Sequence, residues 1–330
     1  MNRTELKTAI KKYIDALTSM QRSPKTTLKY STTLNKFYEF LQQDNEEVTP
    51  LKIVEWRDYL YKNNMRPNSI RDYLQILKGF FTWCQRMKLV ESSPISLEEI
   101  PKKKEVEYNL LTSDEIKTLL FTNPKDLIFS RKNFNNKTIC RNRAIVVLLL
   151  QTGIRNSELR NLKLSDLDFE NSIIKIRHGK GDKSRQVPFP TLSQGAINDY
   201  LNSNYRPEYL TEQDWLFGCD ADEFGHSTSA KIWRQLTIPT LDRMISRYIE
   251  KLTGHKKVKV HSLRHAYASL CDDLGVPIAI VSKTLGHSNI NITASVYTHV
   301  LNRSKAAQEI NRIFDENFLT KQTSEGKIKC

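Results

Sequence analysis

The stretch RAIVVLLLQTGIRNSEL, Arg143 to Leu159, decides how the chain is read. It joins the longest unbroken apolar run, Ala144 to Leu150, to Gly153 and then to Arg155 and Glu158. A run this short, bounded by Arg143 and Gln151, cannot cross a bilayer, so it reads as a buried helix that stops at the glycine. Arg155 and Glu158 follow at a spacing that sets a guanidinium beside a carboxylate at a turn. Alone, such a pair is an ordinary ion pair. Its weight comes from what surrounds it.

Towards the N-terminus, Thr112-Ser113-Asp114-Glu115 has the form of a capping box and opens a domain. The segment from Asn123 to Arg141 is polar and basic and reads as a surface loop. Ser92 to Glu107, with two prolines and the Lys102-Lys103-Lys104 run, reads as a linker. Four amphipathic helices are expected before it. Their apolar stripes are Leu6, Ile10, Tyr13, Ile14 and Leu17; then Leu34, Phe37, Tyr38 and Leu41; then Ile53, Val54, Trp56 and Leu60; then Ile70 to Phe81. Ser23-Pro24 and Thr49-Pro50 are start signals, an N-cap followed by proline. Asn64 to Asn68 is a proline-containing break. Domains are thus expected at 1–92 and 110–330, joined by a linker at 93–109.

Towards the C-terminus, Ser172–Arg177 and Ser184–Phe189 read as strands around His178-Gly179-Lys180-Gly181-Asp182-Lys183, a hairpin. From Thr191 the chain reads as mostly helical, and the tail from Arg303 carries a helical apolar face. The expected fold class is mainly α: a four-helix N-terminal domain, then a mainly helical domain with a small antiparallel sheet.

Composition narrows the function. The net charge of +14 points to a polyanion, because cations that neutralise phosphates release counterions. Five scattered cysteines, none in a CxxC pair, suggest reduced thiols and a cytoplasmic location, and the N-terminus has no signal-peptide core. No cysteine lies near a histidine at zinc spacing, the His261–His265 pair lacks the glutamate of the HExxH form, and no phosphate-loop glycine pattern is present, so no metal and no cofactor is expected.

Three further patterns join Arg155-x-x-Glu158. They are Lys180 between glycines at the hairpin, His261-Ser262-Leu263-Arg264-His265, and Leu285-Gly286-His287 followed by Tyr297 in Val296-Tyr297-Thr298. His261 and Arg264 share one helical face, and Gly286 fits a helix C-cap. In this order the motifs TGIRNSEL, GKGDK, HSLRHAYAS and LGHSNI…VYTHV resemble those of the tyrosine recombinase family, which includes phage and transposon integrases and the Xer resolvases. The likeness covers nearly the whole chain.

The resemblance implies a helical core-binding domain and a catalytic domain clamped on duplex DNA. It implies Arg155 and Arg264 as catalytic arginines, Lys180 as the hairpin lysine, His261 and His287 as the two histidines, and Tyr297 as nucleophile. Glu158 would be a supporting acid. Lys25, Arg66, Arg71, Lys78, Lys183 and Arg185 are candidate phosphate contacts. The implied partners are double-stranded DNA, a homo-tetramer on paired sites and an accessory DNA-bending or directionality protein, with no membrane role. Other readings stay open at this point: a type IB topoisomerase-like enzyme, a non-enzymatic DNA-binding regulator, and a metal-dependent nuclease. The last lacks a carboxylate cluster in this sequence. Tyr267 reads as core, and His265 and His299 as structural or peripheral.

Overall fold

In a computed structural model the described residues are 1–42, 47–96, 100–102, 111–122, 136–177, 184–219, 233–287 and 289. The chain divides into two compact units, Met1–Glu107 and Tyr108–Cys330. No helix among the described residues is long and apolar enough to cross a membrane.

The first unit contains α1 (Arg3–Ser19), α2 (Pro24–Phe40), α3 (Pro50–Lys62) and α4 (Pro67–Arg86). Local chemistry sets their starts. Asn2 and Glu5 form a capping box. Ser23 and Thr49 accept from the backbone N–H groups of Thr26 and Lys52, each followed by proline at the first helical position. Pro67 likewise opens α4, so this proline begins the helix and does not sit inside a break. The stripes meet in one core around the fully buried Trp56, Phe37, Phe80 and Phe81. Phe37 meets Trp56 edge-on at 5.0 Å between ring centroids, a favoured aromatic geometry. The stretch read as a linker is partly core: Ile95 and Ile100 are buried in this cluster. Arg71 donates to the Pro101 carbonyl at 2.6 Å and ties that stretch to α4. Two isolated apolar residues carry no periodicity, which is why the sequence hid them.

The second unit contains α5 (Ser113–Phe121), α6 (Asn136–Thr152), α7 (Asn156–Asn161), a single 3₁₀ turn (Leu164–Asp166), α8 (Thr191–Asn202), α9 (Ile238–Thr253), α10 (Val260–Asp273) and α11 (Ile278–Leu285). Thr112 and Glu115 close the expected capping box at α5. Central α6 carries Ala144 to Leu150, every one fully buried, and packs on α5, α8, α9 and α10. Burial on all sides explains an apolar run without helical periodicity.

Three strands, β1 (Leu167–Asp168), β2 (Ile173–Ile176) and β3 (Arg185–Pro188), pair antiparallel in that order. Ile174 faces both Leu167 and Val187, which places three apolar side chains on one face. A second pair, β4 (Gly218–Cys219) with β5 (Arg234–Gln235), interrupts the region expected to be helical. Strands of two residues leave no alternation to read.

The loop expected at 123–141 is corrected at its end, because α6 already begins at Asn136. Ile139 is fully buried and Arg141 nearly so. Arg141 lies over the Tyr205 ring, Cζ 4.5 Å from the centroid, and donates to its hydroxyl. An aromatic face lets a cation enter the core, and no local sequence signal announces it.

Candidate active site

The site assembles where the ends of α6 and α11 meet the starts of α7 and β3. Gly153 ends α6 in the left-handed region at φ 58°. A Cβ there would lie 2.4 Å from Tyr267 Cδ1 and 2.7 Å from Leu285 Cδ2, so no side chain fits. The chain turns at once into α7, with Arg155 as N-cap. Glu158 reaches back to accept from the Arg155 backbone N–H at 2.7 Å and from its Nη1 at 2.8 Å. The guanidinium is thereby fixed by its own turn, as the spacing predicts.

At the other side, α11 ends at Gly286, also left-handed, at φ 65°. The last carbonyls of a helix have no intrahelical partner and carry the negative end of its dipole. Here three arginines take them in turn. Arg185 Nε donates to Thr284 O at 2.9 Å, Arg264 Nη2 to Leu285 O at 2.6 Å, and Arg155 Nη2 to Gly286 O at 2.6 Å. Arg264, on α10 and nearly buried, also donates from Nη1 to Gly153 O at 2.6 Å. One guanidinium thus pins the end of α6 to the end of α11.

Arg264 Nη2 also lies 2.9 Å from His287 Nε2. A guanidinium only donates, so Nε2 accepts, and the neutral imidazole carries its proton on Nδ1. Burial and the neighbouring Arg264, Arg155 and Arg185 charges hold His287 down at about 4. His265 is held at about 4 by burial, then by His261, Arg264 and His287. His261 stands one turn before Arg264, exposed, its ring 4.5 Å from that of His265. Its pKa is lowered by desolvation and by Arg264.

Burial and the clustered charges shift the ionisable groups of the site. Burial would raise the Glu158 carboxyl, but hydrogen bonds from Arg185 and Arg155 outweigh this and hold it at about 2. Arg264 is pushed down to about 9 by burial, then by the Arg155 charge, with Glu158 opposing. Arg155 and Arg185 share the Glu158 carboxylate while Arg264 binds backbone carbonyls beside them, so three guanidiniums against one carboxylate leave an excess of two positive charges.

Comparisons with known proteins place the chain in a family. Residues 109–303 match the model of the phage integrase family, and residues 10–88 match that of the phage integrase N-terminal SAM-like domain. The chain belongs to the phage integrase family, that of the tyrosine recombinases. Its relatives within the family include a tyrosine recombinase XerC from Natranaerobius thermophilus, 29% identical over 84% of this chain and 86% of that protein. Another XerC, from Lacticaseibacillus casei, is 27% identical over 88% and 93%. Among solved structures, the Tn1549 transposon integrase in complex with transposon right end DNA has a TM-score of 0.69 at 18% identity, covering 94% of this chain and 99% of that one. XerH recombinase bound to palindromic difH substrate has a TM-score of 0.65 at 23% identity, covering 87% and 80%. At these identities the likeness to solved structures establishes the fold.

Of the residues singled out in the sequence of this tyrosine recombinase, Arg155, Glu158, Arg264 and His287 come together, with His261 one turn away. Lys180, Lys183 and Tyr297 lie outside the described residues. Arg185, expected at a phosphate, is turned inward: Nη1 and Nη2 donate to Glu158 Oε1 and Oε2 at 2.6 and 2.9 Å, and Nε donates to Thr284 O. A buried carboxylate outcompetes solvent for a guanidinium that fits it bidentately. Arg71 is likewise occupied by Pro101 O, while Lys25 and Arg66 are exposed and Lys78 is half-buried. Tyr267 packs with Cys271, Val281 and Leu285, as core. Sequence reasoning missed the inward role of Arg185 and the steric need for Gly153. The conflict of a lone arginine on a strand beside the buried Val187 is the one signal that pointed inward.

Proposed function

We propose that this site-specific tyrosine recombinase breaks and rejoins DNA through a covalent 3′-phosphotyrosyl bond to Tyr297, needing neither metal nor ATP. The observation that carries the reading is the set of guanidiniums of Arg155 and Arg264, held on one helix end beside a neutral His287. A phosphodiester in transfer concentrates negative charge on its non-bridging oxygens. Preorganised arginines stabilise that charge in the role metal ions play elsewhere, and removing one such donor typically costs about 10²–10³ in rate.

The roles follow from chemistry. Tyr297 Oη attacks phosphorus and its proton passes to the imidazole of His261, whose lowered pKa favours the neutral, accepting form. The bond from phosphorus to the 5′ oxygen breaks, and Lys180 protonates the departing oxygen. His287 donates a hydrogen bond from Nδ1 to the phosphate. The 3′-phosphotyrosine conserves the bond energy, and a 5′ hydroxyl from another strand attacks it to reseal the duplex and release Tyr297. Glu158 orients Arg155.

The partner is double-stranded DNA, in keeping with the net charge of +14 and with relatives captured on DNA. We assign residues 1–92 to core binding and 110–330 to catalysis, with Lys25, Arg66 and Lys78 at phosphates. Two DNA sites would be held by a homo-tetramer, aided by an accessory DNA-bending or directionality protein, in the cytoplasm and on a mobile element.

The test uses labelled, nicked duplexes carrying candidate sites from the flanking genome, with EDTA present. Wild-type protein is expected to give a covalent protein–DNA band on a denaturing gel, and Tyr297→Phe to give none. A band that persists in the variant moves the nucleophile elsewhere. Tight specific binding without any band favours a DNA-binding regulator.

A further inference from the structure

Arg185 is the one guanidinium of the cluster that no step above uses. It comes from β3, while Arg155 comes from α7 and Arg264 from α10. Its three nitrogens have three separate tasks inside the protein: both terminal nitrogens span the two oxygens of Glu158, and Nε holds the Thr284 carbonyl. The Glu158 side chain is fully buried and Arg185 is 15% exposed. Arg155 Nη1 and Arg185 Nη1 share one oxygen of Glu158, so the carboxylate is divided between two cations and cannot follow one alone. Gly286 closes the contact from above: a Cβ there would lie 3.1–3.2 Å from the Arg185 guanidinium. Arg185 thus touches the carboxylate that orients Arg155 and the helix end that carries His287.

We infer that Arg185 is a positioning residue: by clamping Glu158 bidentately and holding the Thr284 carbonyl, it fixes Arg155 and the end of α11 in one register. For what those groups then catalyse, the inference rests on the strand-transfer reading above; for the clamp itself it rests on geometry. A lysine would keep the charge but is a single point donor and cannot span two oxygens and a carbonyl. The effect therefore belongs to shape, and Arg185→Lys separates it from simple neutralisation of Glu158.

The experiment compares Arg185→Gln, Arg185→Lys, Glu158→Gln and the double variant Arg185→Gln/Glu158→Gln. Three quantities are read: DNA affinity, single-turnover cleavage of a nicked duplex at saturating protein, and the carboxyl titration of Glu158 by ¹³C NMR. DNA affinity is expected to stay within about threefold of wild type, because the clamp does not face phosphate. Cleavage is expected to fall about 10²-fold in both Arg185 variants, the scale of a small misplacement of catalytic groups. The double variant is expected to be no slower than Glu158→Gln, since residues acting as one unit are non-additive. Arg185→Gln should also raise the titration of Glu158. Wild-type cleavage in Arg185→Lys, losses that multiply in the double variant, or a cleavage defect matched by an equal loss of DNA affinity would each overturn the inference. If wild type forms no adduct at all, the phosphotyrosine reading fails separately. The titration then decides the clamp by itself, and an unchanged Glu158 in both Arg185 variants overturns it.

Discussion

Lys25 and Arg66 of the N-terminal unit and the site arginines of the C-terminal unit are placed in opposite ways, although Arg71 of the first unit also turns inward, to the Pro101 carbonyl. In the N-terminal unit Lys25 stands exposed on α2 and Arg66 at the N-cap of α4, where its side chain makes no cap bond. Even Lys29, paired to Asp72 at 2.8 Å, leaves about half of its side chain in solvent. In the C-terminal unit Arg155, Arg185 and Arg264 turn inward to backbone carbonyls and one buried carboxylate. Exposed cations carry long-range attraction and little structure, since surface pairs contribute roughly 0–1 kcal/mol. Inward cations hold the fold and the site together. The same residue types therefore predict different failures when removed.

The largest effect is expected at Arg264. Arg264→Ala leaves the Gly153 and Leu285 carbonyls without their donor and removes the partner of His287. Single-turnover cleavage should fall at least about 10³-fold, and stability by about 2–4 kcal/mol in urea melts. Retained stability would break the contrast between the units. Next comes Gly153→Ala, whose new methyl would collide with Tyr267 and Leu285 in a left-handed backbone. A loss of about 2–4 kcal/mol is expected, with cleavage reduced because the Arg264 anchor moves. Trp56→Ala in the first unit should cost a similar 3–5 kcal/mol or so by cavity formation. Its intrinsic cleavage step, once DNA is bound, should be unchanged; a lowered cleavage rate constant at saturation would show the units to be less independent.

A smaller effect is expected with pH. His265 and His287 titrate at about 4 in the folded protein against 6.5 ordinarily, so the unfolded chain binds protons first. Their contribution to stability is present above pH 6.5 and is lost as pH falls towards 4. Glu158, at about 2 against 4.5, contributes above pH 4.5 and is lost as pH falls towards 2. Urea melts of His287→Asn should show a shallower decline from pH 6.5 to 4 than wild type, and an identical slope would count against the burial of His287. The smallest effect is expected for Lys25→Ala. Stability should hold within about 0.5 kcal/mol, while DNA affinity drops a few-fold with a salt slope lower by about 1. No change in that slope would remove Lys25 from the phosphate contacts.

Legibility in the chain follows how local each contact is. Helix starts were readable at Ser23-Pro24, Thr49-Pro50 and Thr112–Glu115, because capping is a local reaction between residues three apart. The Arg155–Glu158 pair and the glycine ends of α6 and α11 were readable for the same reason. The start of α6 at Asn136 and the short β4–β5 pair were not, since neither shows a local period.

Sequence alone carried the helical class and the family, for these depend on residue type, order and spacing. Only the tertiary structure decided what each arginine faces. Arg155 meets Gly286 across 131 residues, Arg264 meets Gly153 across 111, and Arg185 meets Thr284 across 99. Such partners are chosen by which helix ends the packed core brings together and by the cost of leaving their carbonyls unpaired. No local pattern encodes that choice.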